Sequence, residues 1–264
     1  SATNTPRLDY STGAEAFLLE PQSRNLVTYS EDFISGGWSE VSLNVLANNN
    51  INPSGLLGAT TLEATSVGQP SVQTFNSWQD NTNYTFSVFM KANVGNYAVL
   101  GCYGNTIGDS WMRIKLSDNS FTYDGTGFSN GKVETLTNGW IRVSVSFISS
   151  VINTGRSGFK IGLASSSSFS LGNIGDKLDI WGAQLETSNG LGTFDGSYAT
   201  SYIPTNGSQT TRNQETCINA TPEINSEEGV LYAEIARSEE ENIYRLLGID
   251  DGTSNNYVKM GFEN

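Results

Sequence analysis

Trp111 and Arg113 stand two residues apart in Ser110-Trp111-Met112-Arg113-Ile114-Lys115-Leu116. Tyr97 and Tyr103 bracket the apolar run Ala98-Val99-Leu100-Gly101-Cys102, and Arg142 lies in Ile141-Arg142-Val143-Ser144-Val145-Ser146-Phe147. These residue types suit recognition rather than bond breaking. An aromatic ring offers a flat face to the axial C–H groups of a sugar, and planar polar groups meet its hydroxyls. Bond-breaking chemistry has less to work with. The chain contains no histidine, which removes Ser-His-Asp and Cys-His nucleophiles, the commonest zinc ligand and the near-neutral proton shuttle. Glu63, Glu134 and Asp179 fall in or near strand-like runs, but nothing in their spacing pairs two of them across a cleft, as glycoside hydrolysis requires. The two cysteines, Cys102 and Cys217, lack CxxC spacing, and Cys102 reads as a buried free thiol. The chain is therefore expected to be no enzyme.

The elements that must hold these residues are strands. Met112, Ile114 and Leu116 alternate with Trp111, Arg113 and Lys115, so if the apolar set faces the core, Trp111 and Arg113 point outward together. By the same rule Ala98, Leu100 and Cys102 turn inward and Tyr97 and Tyr103 outward. Arg142 lies opposite Ile141, Val143, Val145 and Phe147. If the three strands are neighbours, Tyr97, Tyr103, Trp111, Arg113 and Arg142 form one patch able to hold a sugar chain. Tyr84, Phe86, Val88 and Met90 mark a further strand, with Phe89 alone apolar on the reverse face. The run Leu178-Asp179-Ile180-Trp181-Gly182-Ala183-Gln184-Leu185 is apolar on both faces, which predicts a central, covered strand. Asn130-Gly131, Asn138-Gly139, Asp124-Gly125 and Gly172-Asn173 punctuate these runs with turn chemistry. The fold class expected is all-β, an antiparallel β-sandwich of the jelly-roll kind, with a partial second β-sandwich at the C-terminus.

Charge divides the chain. The net charge is −13, and residues 213–264 hold eleven acids against three bases. Few Lys or Arg cluster anywhere, so counterion release from a nucleic-acid backbone has little to act on, and nucleic acid is not an expected partner. No apolar run approaches the ~18 residues of a transmembrane helix, so no membrane insertion is expected. The boundaries expected are an N-terminal extension over 1–16, the jelly roll over 17–205, a polar linker over 206–217 and a partial second sandwich over 218–264. That last part includes Val230 to Ala236 and a hairpin from Ile243 to Phe262. The absent Met and the alternating run at the C-terminus read as a piece of a longer chain.

Several strings occur together in order: Asn25-Leu26-Val27-Thr28-Tyr29-Ser30-Glu31-Asp32-Phe33 with Trp38, Tyr84 to Lys91, Asn138 to Ser144, Ile180 to Glu186, and Thr200-Ser201-Tyr202-Ile203-Pro204-Thr205 with Thr211-Arg212. On these the chain, over roughly 17–212, resembles the jelly-roll carbohydrate-binding-module-like domains, similar to family 4/9 modules, of bacteriophage tail, fibre and head-spike proteins. The part after 218 looks like the start of a laminin-G or concanavalin-A-like sandwich. The resemblance implies a non-catalytic module at the virion surface or outside the cell that binds a cell-surface polysaccharide or other glycan. It also implies contacts with other virion proteins and a homo-oligomer, a trimer being usual for fibres. Modules of this type often hold a structural calcium, for which Glu31, Asp32 and Glu186 would supply oxygens. Trp38, Trp140 and Trp181 read as core or sheet-edge packing. A structural spacer, or the accessory module of a secreted polysaccharide-degrading enzyme, remains as an alternative.

Overall fold

The computed structural model describes residues 7–9, 16–34, 36–75, 78–103, 110–150, 158–166, 172–188, 194–215, 245–250 and 257–262. Side chains of Asp9, Ala16, Phe17, Phe75, Tyr103 and residues 245–250 and 257–262 are outside that description. The strands in chain order are β1 (Leu8–Asp9), β2 (Ala16–Phe17), β3 (Ser23–Asn25), β4 (Trp38–Val41), β5 (Leu43–Ile51), β6 (Leu57–Ala64), β7 (Ser71–Phe75), β8 (Thr82–Val94) and β9 (Tyr97–Tyr103). They continue with β10 (Ser110–Lys115), β11 (Ser120–Asp124), β12 (Ser129–Thr135), β13 (Trp140–Ser149), β14 (Gly158–Leu163), β15 (Lys177–Thr187), β16 (Thr210–Arg212), β17 (Arg245–Asp250) and β18 (Tyr257–Phe262).

Two six-stranded antiparallel sheets carry the first unit. Sheet I has the order β11-β10-β9-β14-β7-β4 and sheet II the order β12-β13-β8-β15-β6-β5. Late strands enter between early ones: β14 fits between β7 and β9, and β15 between β6 and β8. That double insertion is the jelly-roll topology, expected from the many short alternating runs. Period-2 alternation is the local reason it packs. Phe86, Val88 and Met90 of sheet II face Leu100, Met112, Ile114, Phe159 and Ile161 of sheet I, all essentially without exposure. Phe86 and Phe159 stack with ring centroids 4.3 Å apart, and Trp78 meets Tyr84, Phe147 and Phe159 edge-on at 4.9 to 5.3 Å. Cys102 is buried in this core, and Trp38 joins it. As its two apolar faces predict, β15 is central.

The chain divides into two units, Ser1–Glu215 and Thr216–Asn264. The segment read as a linker over 206–217 belongs, through Glu215, to the first of them. Thr210–Arg212 pairs with Ser23–Asn25, Asn206 bridges Tyr29, and Arg212 reaches Glu20 at 2.8 Å, Ser201 O at 3.1 Å and Pro21 O at 3.2 Å. Its polar composition marks a short outer strand, whose side chains stay partly in water, rather than a free connector. Arg7, from the expected N-terminal extension, closes the same clasp by pairing with Glu20 and Glu215.

Strings of the resemblance prove to be wiring. The buried Asn25 amide donates to Ala183 O at 3.1 Å and Ile203 O at 2.8 Å, and its Oδ1 accepts from Val27 N at 3.0 Å and Leu185 N at 3.1 Å. Ser30 and Thr205 bond each other's segments, and Gln184 Oε1 accepts from Ile203 N at 2.6 Å. In the second unit the expected hairpin pairs, from Arg245 with Phe262 to Asp250 with Tyr257. The expected strand over Val230 to Ala236 lies outside the described residues.

Candidate functional site

Sheet I presents Tyr97, Trp111 and Arg113 on one outer face, as their alternation predicts. β9 and β10 are antiparallel neighbours whose register sets Trp111 opposite Gly101, Arg113 opposite Val99 and Lys115 opposite Tyr97. Gly101 matters because the indole of Trp111 lies across it: a Cβ built on Gly101 would stand 2.5 Å from Cε3 and Cζ3 of that ring. A strand glycine that admits another group against the backbone is a recurring use of the residue. On the far side of Gly101, β14 places Lys160 opposite it. Lys160 Nζ is 5.1 Å from the Trp111 ring centroid and donates to Gln69 Oε1 at 2.9 Å. The Arg113 guanidinium lies 5.6 Å from the Tyr97 centroid, and its Nη1 donates to Ser165 O at 3.3 Å and Ser166 O at 2.9 Å.

Among the described residues the face therefore holds two cation–aromatic pairs, Lys160 with Trp111 and Arg113 with Tyr97. Trp111 and Tyr97 are both half-buried, so ring surface reaches solvent. Arg113 is committed to loop carbonyls, which makes it a positioning residue for Tyr97. Lys160 is the member that sequence reasoning missed. Its signal was present in Phe159-Lys160-Ile161, where a cation between two inward residues must point out.

Arg142 does not join this patch. Its side chain does leave the core, but β13 belongs to sheet II, so it lies on the opposite outer face of the sandwich. There it donates from Nη2 to Ser87 Oγ at 3.0 Å and lies 5.4 Å from the Phe89 centroid. Tyr103 ends β9, and its side chain lies outside the described residues.

The three oxygens assigned to calcium do not converge. Glu186 is fully buried, and its carboxylate accepts from Ser23 Oγ at 2.5 Å, Thr200 N at 3.0 Å and Thr200 Oγ1. Glu31 accepts from Tyr202 OH at 3.0 Å, and Asp32 Oδ1 accepts from Ile34 N at 3.0 Å in a local turn. Among the described residues no group of three or more acidic, Cys or His side chains could hold a metal. Hydroxyl and amide donors do for Glu186 what a cation would otherwise do.

Glu63, Glu134 and Asp179 lie on β6, β12 and β15 and take separate partners. Glu63 pairs with Lys177 at 3.0 Å and Glu134 with Lys132 at 3.3 Å. Asp179, 5% exposed, receives Asn50, Thr61 and Asn93 on Oδ1 at 3.0, 2.6 and 3.0 Å. Trp140 is buried beside Phe89 on the outer face of sheet II, and the half-buried Trp181, on a central strand there, packs against the same small apolar cluster.

No family model matches the chain, and no curated protein matches it. Among solved structures the chain is similar to the Clostridium thermocellum N-terminal endo-1,4-beta-D-xylanase 10B CBM22-1-GH10 modules complexed with xylohexaose, with a TM-score of 0.37 and 9% sequence identity. The likeness covers 69% of this chain and 30% of that one, so this chain spans under a third of that protein's crystallised length.

Proposed function

We propose that the first unit is a non-catalytic glycan-binding module working at the surface of a phage virion or otherwise outside the cell. The observation that carries this reading is the indole of Trp111, laid across Gly101 on an outer sheet face between Lys160 and the Arg113–Tyr97 pair. One face of the ring rests on the backbone. The arrangement suits a sugar ring stacked on the indole, with the ammonium and amide groups beside it meeting hydroxyls. The virion setting rests on the ordered strings quoted above, and with it come the expected partners: a cell-surface polysaccharide, other virion proteins and further copies of the chain.

A glycan array with purified residues 1–264, followed by calorimetry on each hit, tests the reading. Binding that falls at least about tenfold in Trp111→Ala, with the thermal midpoint held, supports it. Absence of binding to every bacterial surface polysaccharide on the array removes it.

A further inference from the structure

The outer face of sheet II carries a second surface of different chemistry. Arg142 on β13, Phe89 on β8 and Trp181 on β15 are direct cross-strand neighbours, so three adjacent strands contribute one row. Tyr202 closes it from the covering segment, its ring centroid 4.7 Å from Trp181 and 5.7 Å from Phe89. Gly182, at φ +65°, bulges the strand next to Trp181, where a Cβ would stand 3.2 Å from the Tyr202 ring. Arg142, Trp181 and Tyr202 are each half-buried, so the row reaches solvent.

The guanidinium in this row is under-used. Beyond Nη2 to Ser87 it makes no hydrogen bond or ion pair among the described residues; Nε is buried with no acceptor, and so is Trp181 Nε1. Neighbouring acids are engaged elsewhere. Glu134, opposite Arg142 across the strand pair, is held by Lys132, and Glu186 by Ser23 and Thr200. Burial pushes the Arg142 pKa down, against the pull of the Glu186, Glu134 and Glu20 carboxylates. A guanidinium taken from water ordinarily meets an anion, because its desolvation is otherwise uncompensated. Its planar fork matches a carboxylate.

We propose that Arg142, Phe89, Trp181 and Tyr202 form a subsite for a carboxylate-bearing sugar, a uronic acid residue, separate from the Trp111 platform. Nη1 of Arg142 takes the carboxylate, and the exposed ring surface of Trp181 takes the C–H face of the sugar. That the ligand is a saccharide rests on the glycan-binding reading; that it is an anion rests on Arg142 alone.

The test is titration of the intact chain with glucuronate, with glucose and with acetate, read by NMR at the Trp181 indole N–H, assigned with Trp181→Phe. Glucuronate is expected to shift that resonance saturably while glucose does not, and Arg142→Gln is expected to weaken the response at least tenfold, with the other indole signals unmoved. Trp111→Ala is expected to leave it unchanged. Equal response to glucose and glucuronate, or an undiminished response in Arg142→Gln, overturns the proposal. If Arg142→Gln fails to fold, Arg142→Lys, which keeps the charge but loses the planar fork, replaces it and must weaken the glucuronate shift at least tenfold. A response to acetate and glucuronate without any hit on the glycan array retains the anion site and rejects the saccharide. No response to either anion rejects the site whatever the array gives.

Discussion

Trp111 rests on Gly101, the residue directly opposite it on the neighbouring strand, so closely that a methyl group at Gly101 would stand 2.5 Å from the indole. The glycine lies within β9 and is not among those held at positive φ, so its role there is steric clearance rather than backbone freedom.

Gly101→Ala therefore separates platform from fold. The ring must lift or turn while the strand accepts alanine, and glycan affinity is expected to fall by about tenfold, about 1.4 kcal/mol, with a thermal midpoint unchanged or slightly raised. Calorimetry beside a thermal melt reads both, and a large fall in midpoint with affinity intact would contradict the role assigned to Gly101.

Asn25 joins the N-terminal segment to β15 and to the covering segment through four buried hydrogen bonds. Asn25→Ala leaves the Val27 and Leu185 amides and the Ala183 and Ile203 carbonyls without it, and each unmet buried group costs about 1–3 kcal/mol. A loss of at least about 3 kcal/mol in urea unfolding is expected.

Glu20 governs acid stability of the clasp. Burial alone would raise its pKa, but Arg212 and Arg7 outweigh that and hold the carboxyl below its ordinary value. A depressed carboxylate contributes stability above its unfolded pKa of about 4.3 and loses it as pH falls through the lower folded value. The thermal midpoint of the wild type should thus fall steeply below about pH 5, and Glu20→Gln should start lower at neutral pH and fall less over that window. Parallel curves for the two proteins would contradict it.

The clasp also sets a boundary. Residues 1–215 are expected to unfold in a single cooperative transition, because Thr210–Arg212 and Glu215 are included. Residues 1–205 lose β16 and Arg212 and leave Glu20 buried beside Arg7 alone, at a cost of about 3 kcal/mol by analogy with breaking a buried ion network. Circular dichroism melts of the two fragments provide the comparison.

Alternation by itself determined the all-β class, the inward sets of β8, β10 and β13, and the outward direction of Tyr97, Trp111, Arg113 and Arg142, because side-chain direction along a strand is a local period-2 property. Which sheet each strand joined was decided only by tertiary structure. β9 and β10 became neighbours, so Tyr97, Trp111 and Arg113 share a face, while β13 crossed to sheet II and took Arg142 with it. Strand order is set by hydrogen bonds between segments far apart in sequence, and no local pattern encodes them. The same limit explains Lys160, delivered beside Trp111 by a strand inserted from far along the chain, and Glu186, whose oxygens are claimed by Ser23 and Thr200 once three separate segments meet.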